Sequence, residues 1–409
     1  MKKLPWIIGA IFLITLSIVV ITTVIILKKK APPKGVFKDM VNATFVGSDE
    51  CRKCHERLYS NWKGTLHSRM MVDVKKDPAA ILGDFDAPTA PKSFKKTDIA
   101  YTVGSQWRQR YLTKSGDDYL ILPAQFSVAD SKWEETGDNS KWKNRSWFKE
   151  CAGCHATGVE PEKKTFKEAG VGCESCHGPG SNHAKAALGY EIFTIINPAK
   201  LPTRAAADIC GSCHSSGADK GGKYTYPLNY RVSPGSNLRL FFKIASPQNN
   251  PDRFWPSKDS KGHHQQFIDW ERSEHAKAGI ACYTCHSVHE KETLFQTKKA
   301  GDELCKTCHK PLELQAKSSH TIHTFGSCIA CHMPLTVKEG LYAGAERSHS
   351  FKFVGPEESF KHGGVNNQPN SCSGCHYHKD TPLADLMGAW SAVKQLGTPK
   401  SVIPQKEVR

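Results

Sequence analysis

Residues 51–55 read CRKCH, and the same frame returns seven times. It appears as CAGCH at 151–155, CESCH at 173–177, CGSCH at 210–214, CYTCH at 282–286, CKTCH at 305–309, CIACH at 328–332 and CSGCH at 372–376. The eight stretches use all 16 cysteines of the 409-residue chain. Two thiols on one turn suit thioether bonds to both vinyl groups of a single haem, and the histidine that follows is then held under the iron. Zinc ribbons and redox dithiols also use paired cysteines, but neither needs histidine as the very next residue. The pattern predicts eight covalently bound haem c groups.

The predicted thioether positions are Cys51 and Cys54, Cys151 and Cys154, Cys173 and Cys176, Cys210 and Cys213, Cys282 and Cys285, Cys305 and Cys308, Cys328 and Cys331, and Cys372 and Cys375. The proximal iron ligands are His55, His155, His177, His214, His286, His309, His332 and His376. Hydrophobic residues make up only 39% of the chain, which suggests that haems fill much of the core and the polypeptide encases them. The expected fold is therefore mainly α with much irregular loop. Short helices are predicted at Glu56–Lys63, Ile268–Ala278, Pro311–Lys317 and Pro382–Leu396.

Motif spacing organises the rest. Between the first and second motifs, IAYTVGSQWRQRYLT and YLILPAQFSV are rich in β-branched and aromatic residues, with Ser115-Gly116-Asp117-Asp118 as a turn. A small β insertion is expected at 98–130. The aromatic residues Trp133, Trp142, Trp147 and Phe148 are expected to pack on haem faces or on this hairpin. The stretch from Ser215 to Gln266 is rich in Gly, Pro, Ser and Asn, and reads as irregular loop.

Haem attachment of this kind is completed outside the cytoplasm, and the amino terminus agrees. Residues 5–27 carry no charge and are long enough for a membrane-spanning helix. A cleavable signal peptide normally has a shorter apolar run and a small-residue cleavage site, which is not evident before Lys28-Lys29-Lys30. The expected division is a cytoplasmic end at 1–4, an anchor at 5–27, a linker at 28–47 and an octahaem domain at 48–409. The haem domain then lies on the periplasmic side of the cytoplasmic membrane. The net charge of +16 matches the two propionates of each haem, so nucleic acid is not needed as a partner.

Eleven histidines remain beyond the motifs. The candidates for distal iron ligands are His67, His183, His275, His289, His320, His323, His349 and His362. His289 is too close to His286 to reach the far face of the same haem, and would serve a neighbour. His320 and His323 sit one helical turn apart, and His263 and His264 are adjacent, so neither pair is expected to contribute twice. Met333 and the Met70–Met71 pair are weaker candidates, and a methionine ligand would raise the potential.

The stretches FVGSDECRKCHERLYSNWKGTLHSRMM and AGVGCESCHGPGSNH resemble the multihaem cytochrome family that includes the tetrahaem electron acceptor of hydroxylamine oxidation. WERSEHAKAGIACYTCHSVH, SSHTIHTFGSCIACHMP and SHSFKF to QPNSCSGCHYHKD resemble the wider octahaem and multihaem proteins. The resemblance implies histidine ligands at His67, His183, His275, His289, His323 and His349. It also implies mostly bis-histidine haems, with at times one open iron. No tetratricopeptide repeats follow the last motif, so the physiological partner does not carry over.

Bis-histidine iron changes charge with little rearrangement and leaves no position for substrate, so the leading expectation is electron transfer in a periplasmic respiratory chain with no catalytic residues. The expected partners are redox proteins, namely a quinol-linked donor or other cytochromes, and the membrane through the first helix. Oligomeric state is left open. An octahaem oxidoreductase for a small nitrogen or sulfur compound is the alternative, and would need one open iron. All eight motifs end in histidine rather than lysine, which counts against it. A third reading is a subunit of an extracellular cytochrome filament.

Overall fold

The computed structural model describes residues 40–135, 139–232, 237–290, 293, 295–310, 320, 327–337, 346–375 and 378–395. The predicted anchor at 5–27, the helix at Pro311–Lys317, and His323 and His376 lie outside these residues. No described helix is long and apolar enough to cross a membrane.

Helix α1, Ser48–Lys63, contains the first motif, and its backbone leaves helical geometry at His55 (φ −114°, ψ 41°). The predicted helix after this motif is therefore the second half of a longer, kinked one. Several other motifs form single turns, among them α2 at Ala152–His155, α3 at Cys173–His177 and α4 at Cys328–His332. One turn places positions i and i+3 on the same face, so each short helix presents both thiols together. The helix predicted at Ile268–Ala278 is two helices, Gln266–Glu271 and Glu274–Lys277. Ser273 separates them, accepting the Ala276 N–H as N-cap of the second. Leu383–Gln395 forms one helix where one was expected.

A five-stranded antiparallel sheet lies between the first two motifs. Its strands are β1 Met71–Asp73, β2 Tyr101–Val103, β3 Arg108–Ser115, β4 Asp118–Ser127 and β5 Lys132–Glu135, in that order. The sheet is wider than the predicted 98–130, because β1 comes from the chain just past α1 and β5 extends the hairpin. Gly116 makes the tight β3–β4 reversal at φ 57°, a left-handed conformation that glycine adopts without a Cβ penalty.

The two faces of this sheet bury different clusters. Leu112 and Ile121 pack with Trp147, Phe148 and Ala152 of the second motif. Tyr111, Leu122, Phe126 and Trp133 pack with Phe94 on the other face. The Ser215 to Gln266 stretch is largely irregular, but it closes one strand pair, Gly217–Asp219 with Phe242–Ile244. Leu238, Phe242, Phe254, Phe267 and Trp270 build a further apolar cluster there. The described polypeptide thus carries apolar cores of its own, beyond a casing for cofactors.

Buried carboxylates join the motifs. Glu174, inside the third motif and 2% exposed, accepts the N–H groups of Val46 (2.9 Å), Gly47 (2.7 Å) and Gly180 (2.7 Å). Glu168 accepts the Ser48 N–H at 3.0 Å and its hydroxyl at 2.7 Å, and the Ser48 oxygen accepts the Cys173 N–H at 3.1 Å. The start of α1 and the third motif are therefore one hydrogen-bonded unit.

Candidate haem-binding sites

The imidazoles fall into pairs at one spacing. Ring centroids are 6.1 Å apart for His55 and His183, 6.2 Å for His67 and His214, and 5.9 Å for His177 and His289. They are 5.9 Å apart for His275 and His309, 6.5 Å for His286 and His349, and 6.2 Å for His320 and His332. In each pair one ring belongs to a motif and the other does not. An imidazole nitrogen sits about 2 Å from a transition metal and the ring centre roughly 1 Å beyond it, so two rings sharing one metal ion stand about 6 Å apart. That spacing is too long for ring stacking contact and fits a shared iron.

Local structure sets which nitrogen is offered. His177 Nδ1 donates to the Ile196 carbonyl at 2.6 Å, His183 to Glu191 at 2.9 Å, His286 to Phe295 at 3.0 Å and His349 to Arg347 at 3.2 Å. An Nδ1–H held by a carbonyl fixes the tautomer with its lone pair on Nε2, the metal-binding form. Burial pushes His67, His155 and His349 down to about 4. These rings are neutral at pH 7 and able to ligate.

The thiols of different motifs also meet. Cys51 lies within electrostatic reach of Cys173, Cys154 of Cys213, Cys210 of Cys282, and Cys305 of Cys328. Cys285 and Cys308 lie within electrostatic reach of each other, as do Cys331 and Cys375. The second and third motifs lie close: the His155 carbonyl accepts the Gly170 N–H at 3.1 Å, and the Thr157 and Ser175 hydroxyls share a hydrogen bond of 2.8 Å. The second motif also meets the fourth, where Cys154 Sγ reaches the Ser212 carbonyl at 3.8 Å and Cys213 Sγ the Gly153 carbonyl at 3.9 Å.

Six of the eight distal candidates therefore face a motif histidine: His67, His183, His275, His289, His320 and His349. His289 faces His177, a neighbour's motif, rather than His286. His362 lies 3.7 Å from Glu358, with no imidazole facing it at this spacing among the described residues. The same holds for His155 and for the adjacent His263 and His264, whose centroids are 4.3 Å apart.

The sequence profile of the family described as cytochrome c554 and c-prime matches residues 50–96 and 124–178, and the doubled CXXCH motif matches 275–314. The chain belongs to the multihaem c-type cytochromes. It binds haem c and transfers electrons, as these proteins do. The first match breaks over 97–123, where β2, β3 and the start of β4 lie.

The cytochrome is 25% identical to cytochrome c-554 of Nitrosomonas europaea over 224 residues, 51% of this chain and 67% of that one. It is 23% identical to the dissimilatory sulfite reductase MccA of Wolinella succinogenes, across 84% of this chain and 60% of the relative. Less than two-thirds of the sulfite reductase is thus spanned. The outer cell wall cytochrome OcwA has a similar structure, with a TM-score of 0.70 and 25% identity over 85% of this chain and 86% of that one.

Proposed function

We propose that this cytochrome is an octahaem electron carrier, tethered to the cytoplasmic membrane by residues 5–27 with residues 48–409 on the periplasmic side. The observation that carries the reading is the recurrence of one imidazole spacing in six separate pairs. In this assignment His183, His214, His289, His309, His349 and His332 are the partners of His55, His67, His177, His275, His286 and His320 on six irons. The cysteines of all eight motifs hold the groups covalently, and His155 and His376 are proximal ligands of the remaining two. Bound haem supplies a one-electron iron couple, and the chain's contribution is to hold two neutral imidazoles at fixed spacing so that little moves when the charge changes.

The contacts between motifs support an order of conduction. The first motif meets the third through Cys51 and Cys173, and Cys176 of the third lies within electrostatic reach of Cys213 in the fourth. From the fourth, Cys210 leads to the fifth, and the sixth, seventh and eighth follow in turn. A quinol-linked donor or another cytochrome would deliver electrons at one end of this line, and a second redox protein would remove them at the other.

Mass spectrometry of the full-length protein, together with low-temperature EPR, tests the reading. Eight haem masses, at least six low-spin irons and recovery in the membrane fraction are expected. Fewer haems, or mostly high-spin iron, would overturn it.

A further inference from the structure

Residues 41–46 enter the fold on the loop that carries His183. Thr44 N–H donates to Ser181 Oγ at 2.8 Å, and Ser181 N–H donates back to the Thr44 carbonyl at 3.1 Å. Asn182 Nδ2 donates to the Val41 carbonyl at 3.3 Å, which fixes Val41 beside the turns that follow His183. His183 faces His55, and its Nδ1 donates to the Glu191 carbonyl at 2.9 Å. In an imidazole that turns Nε2 to an iron, Nδ1 points away from it. The turn at Glu191–Thr194 therefore lies behind the ring, on the side away from His55.

An open cleft of about 480 Å³ lies against this turn, lined by Val41, Lys185, Ala186, Ala187, Tyr190 and Thr194. Its surroundings are apolar and exposed. Leu188 is 97% exposed, Val41 67% and Ile192 56%. The Ala187 carbonyl accepts the Tyr190 N–H at 2.9 Å, and Gly189 has φ 86°. That is a tight turn with glycine at the position needing positive φ, and it places Leu188 at the corner. A leucine held out from such a turn gains nothing from the fold, and gains by entering an apolar phase.

The occupant of this face follows from what precedes it in the chain. Residues 28–40 separate the apolar run 5–27 from Val41. In any conformation they reach no further than about 45 Å. With residues 5–27 in a membrane, the face of Val41 is kept within that distance of the lipid, at high effective concentration. A tethered face needs no large patch to dock. Three aliphatic side chains and Tyr190, a residue type suited to the membrane interface, serve to orient the domain. Lys185 lines the cleft, and Lys28, Lys29, Lys30, Lys34 and Lys38 carry the same sign along the tether. Lipid phosphates therefore attract tether and face together.

We propose that the face of Val41, Leu188 and Ile192 docks on the lipid surface of the membrane that holds the chain, and makes the first motif the membrane end of the conduction line. The proposal rests on the reading of residues 5–27 as an anchor.

Hydrogen exchange of the full-length, haem-loaded protein tests it, with one copy per lipid nanodisc containing phosphatidylglycerol. The comparison is Leu188→Ser with Ile192→Ser, two exposed positions. Haem content and elution with the disc are measured first for both proteins. Protection factors over 186–192 are expected to be about ten-fold or more higher in the wild type, the effect of one buried leucine. The hairpin tip at 115–118 should exchange alike in both. If the double variant loads fewer haems, Leu188→Gln alone gives the same comparison.

Equal protection of 186–192 in both proteins, each eluting with its disc, would overturn the proposal and leave the anchor standing. Protection that appears only with two copies per disc would overturn it in favour of a second copy of the chain. A chain that elutes apart from the discs would overturn the anchor and the proposal together.

Discussion

His55 and His183 face each other at 6.1 Å with ring planes within 10° of parallel, although one lies at the kink of α1 and the other beyond the third motif. The pairing is held from both sides. The Glu174 and Glu168 clamps fix α1 against the third motif, and the His183 ring is steered by its bond to the Glu191 carbonyl. A distal ligand so far along the chain depends on that tertiary clamp, which makes its removal informative.

His183→Ala is expected to convert the iron at the first motif from low-spin to high-spin, with haem content unchanged. Reduced protein should then take up one additional equivalent of carbon monoxide, read from the Soret band. His183→Met should keep the iron six-coordinate and raise its potential in a redox titration. A variant that stays wholly low-spin and gains no carbon monoxide binding would remove His183 from the ligand set.

Ring orientation separates five of the six pairs into two groups, with His320–His332 between them at 33°. His55–His183, His177–His289 and His286–His349 are close to parallel, at 10°, 16° and 24°, while His67–His214 and His275–His309 are steep, at 84° and 73°. Parallel imidazole planes split the iron d orbitals strongly and give rhombic low-spin EPR signals, whereas perpendicular planes give nearly axial ones. The oxidised protein should therefore show both classes, and His67→Ala should remove intensity from the axial class alone. Loss from the rhombic class instead would contradict the assignment of His67 to the steep pair.

The sequence carried the covalent chemistry in full view, because five-residue motifs are local and their spacing is their meaning. The non-motif histidines were legible as a surplus in a chain that otherwise uses histidine sparingly. Their partners were not, because His67 meeting His214, or His289 meeting His177, is a product of tertiary packing. His320 faces His332, while His323, one turn further on, lies outside the described residues. The hairpin was visible through its alternating residues and Gly116, but the contribution of Met71–Asp73 to the sheet was not, since a three-residue strand has too little pattern to register.

The second motif contains glycine at its second intervening position for a steric reason. A Cβ on Gly153 would run into the Tyr226 ring, whose hydroxyl donates to the Phe148 carbonyl. Gly153→Ala should cost about 1–3 kcal/mol by overpacking, measured by chemical denaturation of the haem-loaded protein. Tyr226→Leu in the same background should recover part of that loss by opening space. An alanine variant as stable as the parent would show that Tyr226 has freedom to move aside.

The clamp at Glu174 gives the last test. Its two oxygens serve three backbone N–H donors from two segments, Val46 and Gly47 before α1 and Gly180 after the third motif. Glutamine has the same shape, but its amide nitrogen would point a donor at one of those donors. Glu174→Gln should therefore leave at least one buried N–H unpaired and destabilise the protein by about 1.5–3 kcal/mol. Because α1 carries His55, the loosening should be local as well as global: hydrogen exchange should rise first in residues 44–50, before the hairpin at Arg108–Ser127. Uniform loss of protection across both regions would mean that the start of α1 unfolds only with the whole molecule, and that Glu174 adds to global stability without setting the position of His55.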